Sequence, residues 1–91
     1  MKSTDGLHHI LEGLPQELQI RMRISMQIAR RIEELMKERG LSKKQFADSL
    51  GRRPIEITKW LSGEHNFTIA TLSMLTAYFN QPIIEIKDSL T

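Results

Sequence analysis

The sequence predicts an all-α domain, and three observations carry that expectation. Eleven Leu, eleven Ile and five Met stand with no Val, a composition that leans toward helix. The stretch from Gln16 to Arg39 contains neither Gly nor Pro and repeats apolar residues at helical spacing. Beyond it, capping residues and glycines recur at short intervals, which divides the rest of the chain into short helices.

Residues 1–14 show no clear period and contain Gly6 and Gly13, so they read as a loosely held leader with one short turn around residues 7–11. The domain proper is expected over residues 15–91. Pro15 suits the first position of a helix, where its missing amide hydrogen costs nothing. That helix is expected to run about 24 residues, to Arg39, with Gly40 as its stop. It carries two apolar rows: Leu18, Met22, Met26, Ala29 and Leu35/Met36 on one, and Ile20, Ile24, Ile28 and Ile32 on the other. Two rows exceed the single stripe that a surface helix buries. One is expected to face the domain's own core, the other a second chain or the folded-back leader, with self-association favoured.

Ser42 and Gln45 form a capping box, and Leu41 and Phe46 occupy the staple positions around it. A short helix is therefore expected from Lys43 to Leu50, closed by Gly51. Pro54 opens another, with Ile57, Trp60 and Leu61 on its inner side and Gly63 at its end. Residues 65–67 read as a loop. Thr68 caps a further helix reaching Asn80, with Phe67 and Leu72 repeating the staple and Leu72, Leu75 and Phe79 facing inward. Residues 82–86 alternate weakly and are expected to be extended, with an optional edge-strand role.

The chain has 91 residues, 40% apolar and 26% charged, which fits one small domain with a thin core. A deep enclosed active site is not expected. The absence of Cys excludes disulfide scaffolds, Cys-ligated zinc and thiol catalysis, and suits a reducing, intracellular compartment. The first fifteen residues hold no unbroken apolar run, so neither a secretory signal nor a membrane span is expected. Net charge is only +2, but its distribution is uneven. Residues 42–63 hold Lys43, Lys44, Arg52, Arg53 and Lys59 against Asp48 and Glu56, whereas residues 64–91 are net acidic. A polyanion would be met at the middle segment.

Residues 43–62 resemble the helix-turn-helix of the phage-repressor-like (Cro-type, XRE) family. Phe46 and Leu50 fill apolar sites of the first helix, Ala47 is the small residue at the crossing, Gly51 takes the turn, and Ile57 and Trp60 anchor the second helix. Two helices crossing at about 90 to 120° over a three- or four-residue turn need a side chain no larger than Ala at their contact and a residue tolerant of positive φ at the corner. The resemblance extends over residues 25–80, and the run Trp60, Leu61, Ser62, Gly63 with His65, Asn66, Phe67 and Thr68 is similar to HigA-type antitoxins and related bacterial regulators. It implies a lambda-repressor-like domain of about five helices with a long N-terminal helix. The sequence departs from the family pattern at Arg52, usually apolar, at the cap Arg53, usually Ser, Thr or Asn, and at Pro54 and Ile55, where polar base readers are common.

Counting 100° per residue from the buried trio, the open side of the recognition helix presents Ile55, Lys59 and Ser62, flanked by Thr58 and Glu56. Base contacts are expected from Arg53, Ile55, Glu56, Thr58 and Lys59, with Ile55 on thymine methyls, Lys59 or Arg53 on guanine, Glu56 on cytosine and Thr58 in support. Phosphate contacts are expected from Ser42, Lys43, Lys44, Arg52, Ser62, His65 and Asn66. Trp60 belongs to the core rather than to a stacking platform.

Other chemistry is not expected. Adjacent His8 and His9 point about 100° apart on a helix and make a poor metal pair. Asp48 with Glu56, and Glu33 with Glu34, sit among Lys and Arg as solvated faces rather than acid–base pairs. No phosphate loop, nucleophile elbow or dinucleotide fingerprint occurs, so a non-enzyme without cofactor or metal is expected. The resemblance implies a double-stranded DNA-binding repressor, acting as a homodimer on an inverted repeat, cytoplasmic and nucleoid-associated when bound. Two alternatives stand beside it: an antitoxin that binds its toxin through the surplus apolar face and the leader while autoregulating its operon, and a module used only for protein contacts.

Overall fold

The computed structural model describes residues 13–87, and among them it contains four α-helices and no strand. These are α1 (Gln16–Glu38), α2 (Lys43–Leu50), α3 (Pro54–Leu61) and α4 (Ile69–Phe79). The turn expected at residues 7–11, with His8 and His9, lies outside the described residues.

Local chemistry sets the helix ends. Pro15 stands just ahead of α1 rather than in its first turn: its ψ is 142°, and its carbonyl accepts the amides of Leu18 and Gln19 at 3.0 and 3.1 Å. Gln19 Nε2 also donates to the Leu14 carbonyl at 2.8 Å, which fixes the chain's entry. At the other end of α1 the Leu41 amide reaches back to Met36 O (2.9 Å) and the Gly40 amide to Lys37 O (3.0 Å), the paired bonds of a Schellman stop. The box at α2 is complete: Gln45 N–H donates to Ser42 Oγ at 3.1 Å, and Ser42 N–H donates to Gln45 Oε1 at 2.9 Å. Thr68 Oγ1 accepts the Thr71 amide at 3.1 Å to start α4, and Asn80 ends it at φ 54°.

Phe46 is the hub of the core. It is fully buried, with ring centroids of Trp60, Tyr78 and Phe79 at 6.2, 5.6 and 5.4 Å. Around it close Ile32, Leu35, Ile57, Leu75 and Ile83, with Leu41, Leu50, Leu61 and Phe67 packed against the cluster. The expected inward faces of α3 and α4 and the core placement of Trp60 are therefore observed. One polar link joins α2 to α4. The Ser49 hydroxyl donates to Phe46 O at 2.8 Å, which leaves Tyr78 O–H as donor in the 2.7 Å contact between Tyr78 and Ser49.

The two apolar rows of α1 are not divided by face, as the sequence suggested, but by length. Ile28, Ala29, Ile32, Leu35 and Met36 from both rows are buried, whereas Ile20, Ile24 and Met26, again from both, are about half exposed. At 1.5 Å per residue α1 spans about 35 Å, and the small body covers only its C-terminal part. The edge-strand role left optional for residues 82–86 is not taken up. They lie as an irregular segment with Ile83 buried. Arg31 of α1 and Arg39 at its C-cap fix this end of the molecule. Arg39 Nη1 and Nη2 donate to the carbonyls of Tyr78 and Phe79 at 3.2 and 2.8 Å, meeting the negative end of α4. Arg31 Nε donates to Pro82 O at 3.0 Å.

Two glycines test this description. Gly51 has φ +68° with open space where a Cβ would point; Gly63 has φ +84°, and its Cβ would stand 3.1 Å from Met26 Cγ. Gly51→Ala should cost about 1 to 2 kcal/mol, the left-handed penalty alone. Gly63→Ala should cost more, and Met26→Ala in that background should recover part of the excess. Equal losses in denaturant midpoint for the two glycine variants, or no recovery, would contradict the contact at Gly63.

Candidate nucleic-acid interface

The two helices of the motif are held at close range by Ala47, which is fully buried along with Ile57 of α3. The turn between them is another Schellman stop, with Arg52 N–H on Ala47 O at 2.9 Å and Gly51 N–H on Asp48 O at 3.2 Å. Arg53 follows in extended conformation, and Pro54 begins α3. This helix packs against both α2 and α1. Ile57 and Trp60 are buried and Leu61 half-buried, so the remaining side of α3 is fixed by geometry. Ile55, Thr58, Lys59 and Ser62 share an arc of about 100° there, and all four are exposed, Ile55 at 54%.

The flanking candidates divide into free and engaged groups. Lys43 and Lys59 make no ion pair among the described residues, whereas Lys44 Nζ lies 3.3 Å from Asp48 Oδ2 at a highly exposed pair. Such a pair contributes little and gives way readily to a phosphate. The first amides of α2, at Lys43 and Lys44, have no helical partner and open beside two ammonium groups. Ser42 Oγ spends a lone pair on Gln45 N–H but keeps its proton to donate. Asn66 is exposed. His65 is half-buried, its ring 4.7 Å from Phe67 and perpendicular to it, while Phe67 lies 6.2 Å from Trp60. That chain of rings ties the loop after α3 to the core of the motif.

Besides Ser42, which caps α2, three residues read from the sequence as DNA contacts already serve the fold. Glu56 Oε1 accepts the Arg53 amide at 3.2 Å, completing half of a capping box where Arg53 has no acceptor to offer. Arg52 Nη1 stands 3.5 Å from Glu56 Oε2, and its guanidinium lies 5.7 Å from the Trp60 ring centroid. This accounts for a charged residue at a site usually apolar: the guanidinium itself lies over the Trp60 ring while pairing with Glu56. Ser62 Oγ donates to Lys59 O at 2.7 Å and accepts the Glu64 amide at 3.1 Å, so it stops α3. The acidic residue three places after Arg53 was the sequence signal for the first of these roles. The Arg52 and Glu56 spacing of four was the signal for the second.

The Arg53 amide, helped by the Arg52 charge against some burial, holds the Glu56 carboxyl below its ordinary value of 4.5. A lowered folded pKa stabilises the protein above the unfolded value and loses that contribution as pH falls through the folded one. The melting temperature of the wild type should therefore exceed that of Glu56→Gln at pH 6, and the gap should narrow toward pH 3. A gap independent of pH would show that the charge of Glu56 is not what braces α3.

Among the described residues no group of three or more His, Asp or Glu is placed to hold a metal ion, and no helix is long and apolar enough to cross a membrane. No curated protein and no solved structure is detectably similar to the chain. A helix-turn-helix family model matches residues 32–86, a span that takes in most of the buried half of α1, both motif helices, α4 and the start of the tail. The crossing at Ala47, the glycine turn and the open side of α3 all fall inside that match, and the chain belongs to the XRE-type helix-turn-helix family of DNA-binding transcription regulators.

Proposed function

We propose that the protein is a sequence-specific repressor that occupies a promoter as a two-fold dimer, on an inverted repeat whose half-sites lie about 34 Å apart or a multiple of that. The observation that carries this reading is the arc of Ile55, Thr58, Lys59 and Ser62, left uncovered on a helix whose other side is locked into the core. An eight-residue helix is about 12 Å long, which suits the width of the major groove. Repression by occlusion needs no chemistry beyond binding.

Within that reading Ile55 meets thymine methyl groups, since an apolar side chain half in water gains by covering a methyl. Lys59, at one edge of the arc, donates to guanine, with Arg53 as a second donor from the helix start. Glu56 keeps a lone pair on each oxygen beyond its bonds to Arg53 and Arg52, so it accepts from cytosine without giving up its brace. Thr58 supports either neighbour. Lys43, Lys44 and the α2 amides, with Arg52, His65 and Asn66, take the phosphates on the two sides of the groove. Ser42 contributes a hydroxyl donor to the same backbone, whereas Ser62 joins it only by releasing its proton from Lys59 O.

Selection from random duplexes, followed by footprinting upstream of the gene, tests the reading as a whole; the expected product is an inverted repeat. Failure to enrich any sequence at low salt would leave the motif as a protein-contact module. About four phosphates neutralised per protomer predict a slope of log affinity on log salt near −7 for the dimer. Lys43→Ala and Lys44→Ala should weaken all duplexes alike, whereas Ile55→Ala and Lys59→Ala should cost about 1 to 3 kcal/mol at particular base pairs. Binding scans of the last two variants without position-dependent change would remove α3 as the reader.

A further inference from the structure

Charge, like burial, divides α1 by length. From Gln16 to Ile32 the helix carries Arg21, Arg23, Arg30 and Arg31 against Glu17 alone, whereas from Glu33 to Glu38 it carries Lys37 against three glutamates. The basic part includes the half that the body leaves uncovered. Its arginines differ in what they meet. Arg31 is engaged by the Pro82 carbonyl, Gln81 and Glu34. Arg30 is exposed and lines a groove between α1 and the end of α3, together with Met26, Ser62 and Gly63. Arg23, also exposed, stands one heptad earlier and within about 20° of the same line along the helix. Neither Arg23 nor Arg30 makes an ion pair among the described residues, not even Arg30 with Glu33, which lines the same groove. Ser62 is the last residue of the open α3 arc, so this groove adjoins the surface proposed to read bases.

We infer that Arg30 and Arg23 form a second phosphate-binding line for duplex DNA, set on α1 rather than on the motif. The inference rests on the reading of α3 as the helix that enters the major groove. A helix about 12 Å long, in a groove of about that width, ends at one wall of it, and that wall is a sugar–phosphate backbone. Ser62, Gly63 and Arg30 meet at the end of α3, so the guanidinium stands where the backbone passes. Seven residues of α1 rise about 10 Å, the axial length of about three nucleotides of one strand, which gives Arg23 a further phosphate of the same run. The planar fork of arginine suits the task, since it donates two parallel bonds to phosphate oxygens. Glu33, one turn closer to the buried end, bounds the line by repelling phosphate. Both arginines precede residue 32, where the family match begins, so the line is an addition of this chain to the motif. Continuity of the groove with the α3 arc favours DNA over an acidic protein as the partner.

The test is the salt dependence of binding to one enriched duplex, with helical circular dichroism as the check on folding, since Gln keeps helix propensity at these exposed positions. Arg30→Gln and Arg23→Gln should each flatten the slope of log affinity on log salt by about 1 per protomer, about 2 for a dimer, and weaken all duplexes alike. Arg30→Lys keeps the charge and should keep the slope. Arg21→Gln removes the same charge from the opposite side of α1 and should leave the slope of the wild type. Unchanged slopes for the Arg23 and Arg30 variants, with specific binding retained, would overturn the inference alone and assign the row to an acidic protein. Equal flattening by Arg21→Gln would overturn it by reducing the effect to long-range charge. A wild type that binds no duplex would overturn it together with the reading of α3.

Discussion

The close crossing of α2 and α3 at Ala47 governs the rest of the molecule. Ala47 and Ile57 are fully buried at a contact that leaves no room for a longer side chain. Because the helices meet there, Phe46 reaches Trp60 across the crossing and Tyr78 and Phe79 behind it, and one ring organises three helices. The open side of α3 is the remainder of the same constraint. With Ile57 and Trp60 turned inward, a helix of eight residues has no freedom over what it shows to solvent. The surface proposed to read DNA and the core that holds the fold are therefore two sides of one decision about rotation, taken at the Gly51 turn.

Electrostatics refine that picture. The basic middle of the chain is not a uniform cationic patch: Lys44 is paired with Asp48 and Arg52 with Glu56, while Lys43 and Lys59 have no partner among the described residues. These two ammonium groups sit at the start of α2 and at one edge of the α3 arc, which in the proposed reading separates backbone attraction from base reading. Arg52 and Glu56 serve the helix first. One covers Trp60 and the other satisfies an amide that the unusual cap residue Arg53 cannot. The departures from the family pattern at these positions thus compensate one another: an arginine where an apolar residue is common, another where a hydroxyl is common, and a glutamate that serves both.

Much of this was legible in the sequence because the information is local. Ser42 with Gln45, Thr68 with the Phe67 and Leu72 staple, the glycine after Leu50 and the 3.6-residue spacing within each helix all act over a few residues, and each helix appears where those signals put it. The features that escaped depend on contacts far apart in the chain. Nothing near Arg39 announces that it caps the end of α4, 40 residues away, or near Arg31 that it holds Pro82. For the same reason the two apolar rows of α1 could not be divided correctly: periodicity says which residues share a face, not how much of a helix the body is long enough to cover. The tail's weak alternation left a strand role open, and it is not taken up because two or three alternating isoleucines favour a strand only when another strand lies beside them. At the site, helical periodicity put Ser62 on the open side of α3 and Glu56 on its flank, but only the three-dimensional arrangement shows that both already bind the backbone.

Amide chemical-shift mapping during titration with an enriched duplex tests the central claim most directly, because it reports each residue separately and does not require altered side chains. The account predicts that the largest shifts fall on Ile55, Thr58 and Lys59, with a second group at Lys43 and Lys44, while Ile84 and Ile86 stay unmoved. Shifts confined to the tail and α4, with none along α3, would contradict it.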